Sequence, residues 1–351
     1  MKGNNKWMIR WLYLGCALIF VMVVIGGITR LTHSGLSMVD WKPVTGAIPP
    51  LSETQWQNEF EKYQQFPEFQ KINYDFTLEE FKSIFWWEYL HRLLGRLIGV
   101  VFLIPFLVFL ANRKIPEGYT PRLLLIFLLG GLQGLLGWYM VKSGLVDVPS
   151  VSHYRLAAHL VTAFLTFAVT FDTALKLQFS GYEEGHASLK KYRKEMIWFV
   201  VFLSVQIIYG AFVAGLKAGL VFNTFPKMGD SWIAEAVTAM SPFWKNFVSG
   251  LAGVQFIHRY LATGLLVWGL VYWFRSKNEP LGKYQARAFN YFGVTLGIQF
   301  LLGVITLLMK VPVFMGVAHQ AGAFLLLGTC LFVLNRTSNK VKKVTPTLVE
   351  V

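Results

Sequence analysis

Charged and ionisable side chains stand inside apolar runs of this sequence, where each should have a partner or a task. The segment FWWEYLHRLLGRLIG, which spans residues 85–99, carries Glu88, His91 and Arg92 near the start of a predicted membrane-spanning helix. The segment QFIHRYLA, beginning at Gln255, repeats the His–Arg pair in the second half of the chain. These residue types can bind a metal, move protons or hold an anionic ligand.

Four of the seven histidines share one predicted depth. They are His91, His159, His258 and His319, and each lies a few residues past the start of an apolar run. At about 1.5 Å per residue, each lies on the order of 7–12 Å along its helix. Each half of the chain contributes two of them, so the histidines form two equivalent pairs.

Paired imidazoles from facing helices are the arrangement that holds a haem iron from both sides. Zinc and copper also bind imidazole, but such sites usually need a third or fourth ligand. A lone intramembrane histidine is as often a hydrogen-bonded core residue, and the repeated pairs favour haem over that alternative. Arg92 and Arg259 directly follow two of the histidines. They either pair with haem propionates or extend to lipid headgroups.

The elements that position these residues are membrane helices. Of the 351 residues, 54% are hydrophobic and 15% are charged, which is typical of a polytopic membrane protein. Eight runs can each cross a bilayer core of about 30 Å. We predict these spans near residues 12–31, 87–110, 121–141, 155–177, 195–215, 250–274, 287–309 and 314–334.

The charge pattern predicts the orientation of the spans. The formal charge of +14 comes largely from Lys and Arg in short loops and at the termini, which indicates membrane topology and not nucleic-acid binding. These basic segments fall on one side, so both termini are predicted to be cytoplasmic. The long loops near 32–86 and 216–249 lie opposite. The first run continues as GGITRLTHSG without a small-residue cleavage site and is predicted to be a retained helix.

The sequence contains an internal repeat, because segments of the first half match segments of the second half in the same order. EYLHRLLG matches QFIHRYLA, GLQGLLG matches GIQFLLG, AHLVTAF matches AHQAGAF, and THSGLSMVDW compares with LKAGLVFNTF. We therefore predict an all-α polytopic membrane protein with two pseudo-symmetric four-helix bundles. The predicted halves are residues 1–186 and 187–351.

The two halves differ at one position. Glu88 lies three residues before His91, and its counterpart is Gln255. A pair of electron-carrying haems has no need of this difference, whereas one resident haem beside a second porphyrin that reacts does. Glu88 is then a candidate for moving protons or stabilising a cationic intermediate. The alternative is a structural ion pair between Glu88 and Arg92.

These motifs resemble the haem A synthase family over nearly the whole chain. The resemblance rests on GGITRLTHSGLSMVDWKPVTGAIPP, EYLHR, HYRLAAHL, NTFPKMGDSW, QFIHRYLA and VAHQAGAF. The sequence is similar to the class shared by mitochondria and many bacteria. It lacks the cysteine pair of the first outer loop found in the Gram-positive class, so no redox role of such a pair carries over.

The resemblance implies an oxidoreductase that converts haem O, through the alcohol, to haem A by oxidising one ring methyl group. It implies haem b bound by His258 and His319, and substrate haem near Glu88, His91 and His159, with His91 and His159 able to ligate its iron. The resemblance implies haem O synthase as the upstream partner and a haem–copper oxidase that uses the product. The other expected partners are the lipid bilayer, an electron-transfer partner and a second copy of the chain. The cell's inner (plasma) membrane is the expected location.

Two other functions compete with this prediction. A membrane cytochrome b that only relays electrons also needs paired histidines, but it does not account for Glu88 opposite Gln255. A transporter built from repeats would carry broken helices at the membrane midplane. Pro105 has no counterpart in the other half, which disfavours a transporter.

Overall fold

The computed structural model describes residues 5–41, 45–144, 150–180 and 189–338, and within these ranges the protein is helical without strands. The α-helices in chain order are α1 (Lys6–Leu31), α2 (Glu53–Gln64), α3 (Pro67–Lys71), α4 (Leu78–Ala111), α5 (Thr120–Gly144), α6 (His153–Gln178), α7 (Leu189–Leu216), α8 (Lys245–Val248), α9 (Leu251–Ser276), α10 (Lys283–Leu308) and α11 (Val313–Arg336). Short 3₁₀ turns lie at Thr45–Ala47, Ala218–Leu220 and Glu235–Thr238.

Eight of these helices are long and apolar enough to cross a membrane: α1, α4, α5, α6, α7, α9, α10 and α11. They contain between 24 and 34 residues. At about 1.5 Å per residue, even the shortest exceeds a bilayer core of about 30 Å. The predicted all-α fold with eight spans is confirmed for the described residues.

Helix α4 begins earlier than its predicted span near residue 87. It starts at Leu78, where Thr77 and Glu80 form a reciprocal capping box. The polar first turns of α4 therefore belong to the same helix as the apolar span, and hydropathy alone marks only the apolar part. His91 is consequently farther from the first residue of its helix than the other three histidines are from the first residues of theirs.

The spans pack as two rings of four helices. In the first, α1 contacts α4 and α6, and α5 contacts α4 and α6. The second repeats this pattern, with α7 contacting α9 and α11, and α10 contacting α9 and α11. This arrangement is consistent with the predicted pseudo-symmetry. The predicted boundary between residues 186 and 187 lies outside the described residues.

The two rings share one hydrophobic core. Buried residues of α1 and α6, including Val23 and Phe167, join a cluster with residues of α7, α9, α10 and α11. At its centre the Phe167 and Phe324 rings lie 3.9 Å apart between centroids. The halves therefore depend on each other for the burial of apolar surface.

The first long loop folds over the start of α4. Side chains of α2, including Trp56 and Tyr63, form a buried aromatic cluster with Phe81, Phe85 and Tyr89. Aromatic groups of this size bury large apolar areas, so the loop is fixed to α4 by packing. This loop supplies several partners of the ionisable residues described next.

Candidate functional site

The four predicted histidines line one continuous cavity of about 1040 Å³ that extends through both helix rings. They lie on α4, α6, α9 and α11, the even-numbered spans of the sequence. The volume is at the upper end of the range for pockets that bury most of a small ligand. The cavity wall also includes Glu88, Arg92, Gln255 and Arg259. The structure thus brings every predicted site residue to one cavity.

The histidines of the second half face each other. The ring centroids of His258 and His319 are 6.3 Å apart, and the ring planes are inclined by 87°. An imidazole nitrogen lies roughly 1 Å from its ring centre and binds a metal at about 2 Å, so two rings on one metal lie roughly 6 Å apart. The observed separation fits two axial ligands of one haem iron.

Each of the four imidazoles lies against a glycine of the preceding span. A Cβ atom built on the glycine would lie close to Cε1 of the ring, at 3.0 Å for Gly26 and His91, 3.5 Å for Gly137 and His159, 3.2 Å for Gly210 and His258, and 2.7 Å for Gly303 and His319. A side chain at Gly26, Gly210 or Gly303 would therefore crowd the imidazole that faces it. Glycine at these places allows the rings of His91, His258 and His319 to occupy their present positions. The sequence analysis did not identify these glycines, although they occupy equivalent places in the repeat.

A glutamine lies one helical turn before three of these glycines, at Gln133, Gln206 and Gln299. Each Nε2 donates to the backbone carbonyl of the histidine, at 3.1 Å to His159, 2.9 Å to His258 and 3.0 Å to His319. In the second half Nε2 also lies 3.0 Å from Nδ1 of His258 and 3.2 Å from Nδ1 of His319. The repeat GLQGLLG and GIQFLLG contained the signal for two of these contacts, without indicating a role.

Arg92 and Arg259 bind equivalent loop carbonyls. Arg92 donates to the carbonyls of Met38 and Asp40 at 2.7 and 3.0 Å. Arg259 donates to those of Phe222 and Thr224 at 3.0 and 2.7 Å, and also to Lys227. In the repeat, THSGLSMVDW and LKAGLVFNTF place Met38 opposite Phe222 and Asp40 opposite Thr224.

Each guanidinium therefore fixes a loop that contributes to the cavity wall, through Trp41 in the first half and Phe225 in the second. Arg259 is 7% exposed, and its Nε is buried without a hydrogen-bond partner in the described part of the chain. Neither alternative weighed from the sequence included this loop contact, because the loop path is not visible in hydropathy.

Glu88 is held by three donors and is only 3% exposed. Its Oε2 accepts from the Ser37 hydroxyl and the Met38 N–H, both at 2.8 Å, and its Oε1 pairs with Arg92 at 2.5 Å. The structural ion pair considered from the sequence is therefore present, but inside the cavity wall. Since all three donors converge on one carboxyl, its orientation is fixed.

Gln255 occupies the position that matches Glu88, but it donates a hydrogen bond where Glu88 accepts. Its Nε2 donates to the Phe222 carbonyl at 3.0 Å. Val221 stands where the first half has Ser37, so the hydroxyl that supports Glu88 is also missing in the second half. The difference between the halves thus involves a carboxyl together with its hydroxyl donor.

A second buried carboxyl lies in the wall of the same cavity. Glu68 in α3 is 5% exposed, and the Tyr63 hydroxyl lies 3.3 Å from its Oε2. Burial, with a smaller contribution from the Glu88 carboxylate, raises the pKa of Glu68 to about 8. The sequence analysis did not identify Glu68 as a candidate.

Comparison with known proteins adds an independent observation. Residues 9–331 match the family described as cytochrome oxidase assembly protein. A haem A synthase of Flavobacterium psychrophilum is 46% identical over 342 residues, covering 95% of this chain and 99% of the relative. That of Flavobacterium johnsoniae is also 46% identical over 342 residues, covering 96% and 100%. A haem A synthase of Nitrosospira multiformis is 46% identical over 324 residues, covering 92% and 91%.

Proposed function

The chain belongs to the haem A synthase family of cytochrome oxidase assembly proteins, and from that premise we propose that it oxidises a ring methyl group of haem O, through the alcohol, to the formyl group of haem A. The activity is that of an oxidoreductase. Haem O is the substrate, and a second, resident haem b is the cofactor.

The resident haem is assigned to the second half. His258 and His319 would hold its iron, which the 6.3 Å separation of their rings supports. A bound haem supplies one-electron redox chemistry at its iron. Nε–H of Arg259, buried and unpartnered in the described chain, would hold one of its propionates.

The substrate haem is assigned to the first half, beside His91 and His159. The observation that carries this assignment is Glu88, since the equivalent position in the second half is the uncharged Gln255. Ser37, Met38 and Arg92 orient the Glu88 carboxylate. In that position Oε1 or Oε2 can take a proton from the reacting alcohol, or stabilise positive charge at the adjacent carbon. Arg92 fixes both this carboxylate and the loop above it.

The competing function is electron relay by a membrane cytochrome b. It is not favoured, because the relatives that cover nearly the full chain are haem A synthases and because relay requires no Glu88. Relay predicts haem b in both halves, whereas synthesis predicts two chemically different porphyrins in one protein.

Porphyrin extraction tests the proposal. The full-length protein is expressed in cells that supply haem O, purified in detergent, and its porphyrins are separated chromatographically. We expect haem A or its alcohol precursor together with haem b. Glu88→Gln should keep haem b and lose the oxidised products, and Gln255→Glu is the matched control in the other half, expected to retain product. Haem b alone from the wild-type protein under haem O supply contradicts the proposal.

The protein is a multi-pass membrane protein. We further place it in the plasma membrane with both termini on the cytoplasmic side, since the basic loops alternate with the long loops. Haem O synthase is the class of enzyme that must supply its substrate, and a membrane electron carrier must accept the electrons released. A homo-oligomer is compatible with the lipid-facing helices.

A further inference from the structure

The glutamine beside each histidine has one exception in the repeat. Gln133, Gln206 and Gln299 lie four residues before the glycines that face His159, His258 and His319. Four residues before Gly26, which faces His91, stands Met22. Residues four apart lie on the same helix face, so the Met22 side chain takes the place of the fourth glutamine.

The two glutamines of the second half reach Nδ1 of the histidines that would hold the resident haem. Nε2 of Gln206 lies 3.0 Å from Nδ1 of His258, and Nε2 of Gln299 lies 3.2 Å from Nδ1 of His319. An imidazole that gives Nε2 to a metal carries its proton on Nδ1 and needs an acceptor there. The Oε1 atoms of both glutamines are buried without a partner in the described chain. Rotation of either amide would present Oε1 to that proton in exchange for the hydrogen bond that Nε2 now donates to the histidine carbonyl.

Among the described residues, no glutamine of the first half reaches an imidazole Nδ1. Nδ1 of His91 and Nδ1 of His159 are both buried without a hydrogen-bond partner among the residues described. Gln133 contacts only the backbone carbonyl of His159. Met22 offers a thioether, which is at most a weak acceptor, and its Cε packs 3.3 Å from the Cβ position of Gly95, one turn after His91.

We propose that Gln206 and Gln299 are positioning residues that lock the axial imidazoles of the resident haem, and that Met22 leaves His91 as the releasable ligand through which the substrate haem enters and leaves. The inference rests on the proposed function, because it explains how one chain retains one haem and exchanges another. Partners of this kind typically change metal affinity by about 10–100-fold, which is large enough to separate a resident cofactor from a substrate.

Haem transfer to excess apomyoglobin tests the proposal on the full-length protein purified with haem O supply. We expect a fast phase from the first half and a slow phase from the second. Gln206→Met and Gln299→Met should each speed the slow phase about tenfold. Met22→Gln should slow the fast phase about tenfold, and Met22→Leu, which adds no amide, should leave its rate at the wild-type value.

Two further measurements separate positioning from general loosening of the fold. Gln206→Glu keeps an acceptor for Nδ1–H, so its slow phase should be no faster than in the wild type. Gln206→Met should raise the midpoint potential of the slow-phase haem, because an imidazole without that acceptor donates less electron density to iron. Slow-phase rates and potentials unchanged in both methionine variants, or a fast phase unchanged in Met22→Gln, would overturn the inference.

The porphyrin in each phase distinguishes this inference from the proposed function. If both phases release haem b and the variants still change the rates as expected, the proposed function fails and the role of the glutamines stands. If the fast phase contains haem O or haem A and the variants change neither rate, the proposed function stands and the role of the glutamines is refuted.

Discussion

Adding one methyl group at Gly303 should displace the His319 imidazole, which we propose as a ligand of the resident haem. The Cβ of alanine at this position would lie 2.7 Å from Cε1, 3.3 Å from Nδ1 and 3.5 Å from Nε2 of His319. Carbon atoms in contact are separated by about 3.5–4.0 Å, so the His319 ring must retreat by about 1 Å. The present ring separation of 6.3 Å matches two ligands on one metal, and a retreat of that size removes the match.

The magnitude follows from the cost of overpacking. Inserting a methyl group into a packed interior costs about 1–3 kcal/mol, which corresponds to roughly a 5- to 150-fold loss of haem affinity if the cost falls on the bound state. Gly210→Ala should have a smaller effect, because its Cβ would lie 3.2 Å from His258 Cε1. The order of the two variants is therefore predicted along with the size of the effect.

The assay is haem b per polypeptide in the purified protein, measured from extracted haem together with the low-spin absorption spectrum. Gly297→Ala is the control, because it lies on the same helix and its Cβ would have no atom within 4 Å. We expect full haem in Gly297→Ala and depleted haem in Gly303→Ala. Wild-type haem content and an unchanged spectrum in Gly303→Ala would refute the reasoning that the glycine sets the ring position.

Three further predictions follow from contacts outside the histidine pairs. Arg259→Lys removes the planar fork that binds the carbonyls of Phe222, Thr224 and Lys227, so limited proteolysis should cut the loop between α7 and α9 faster, with cutting of the first loop unchanged as the internal control. Burial raises the pKa of Glu68 from 4.5 to about 8 in the folded protein. Its contribution to stability is therefore complete below pH 4.5 and is lost as pH rises through about 8, so the thermal midpoint of unfolding should fall across that window. Glu68→Gln should flatten this pH profile, and an equal slope in both proteins would contradict the raised pKa. Gly253→Ala places Cβ 2.1 Å from the Asn246 backbone carbonyl, so it should lower the thermal midpoint of unfolding by several degrees. Gly264→Ala lies on the same helix and its Cβ would meet no atom within 4 Å, so it should leave the thermal midpoint unchanged. Equal midpoints in the two variants would show that the turn before α9 can move.

Local patterns in the sequence were sufficient to predict the eight membrane spans and to single out the four histidines within them. Burying an unsatisfied backbone in lipid is so costly that long apolar runs must be helices, which is why eight spans could be placed without coordinates. The same cost makes His91, His159, His258 and His319 conspicuous. The repeat then paired them, and the Glu88–Gln255 difference was visible once the halves were aligned.

Contacts between helices and loops required the tertiary structure. The rotation of α10 that brings Gln299 and Gly303 against His319, and the loop path that places the Met38 and Asp40 carbonyls over Arg92, depend on packing between residues far apart in the chain. Hydropathy averages over whole helices and carries no information about rotation or loop path. The sequence by itself therefore determined the eight apolar spans and the four histidines within them. Only the folded chain decided what touches each imidazole, since that depends on distances of a few tenths of an ångström between separate helices.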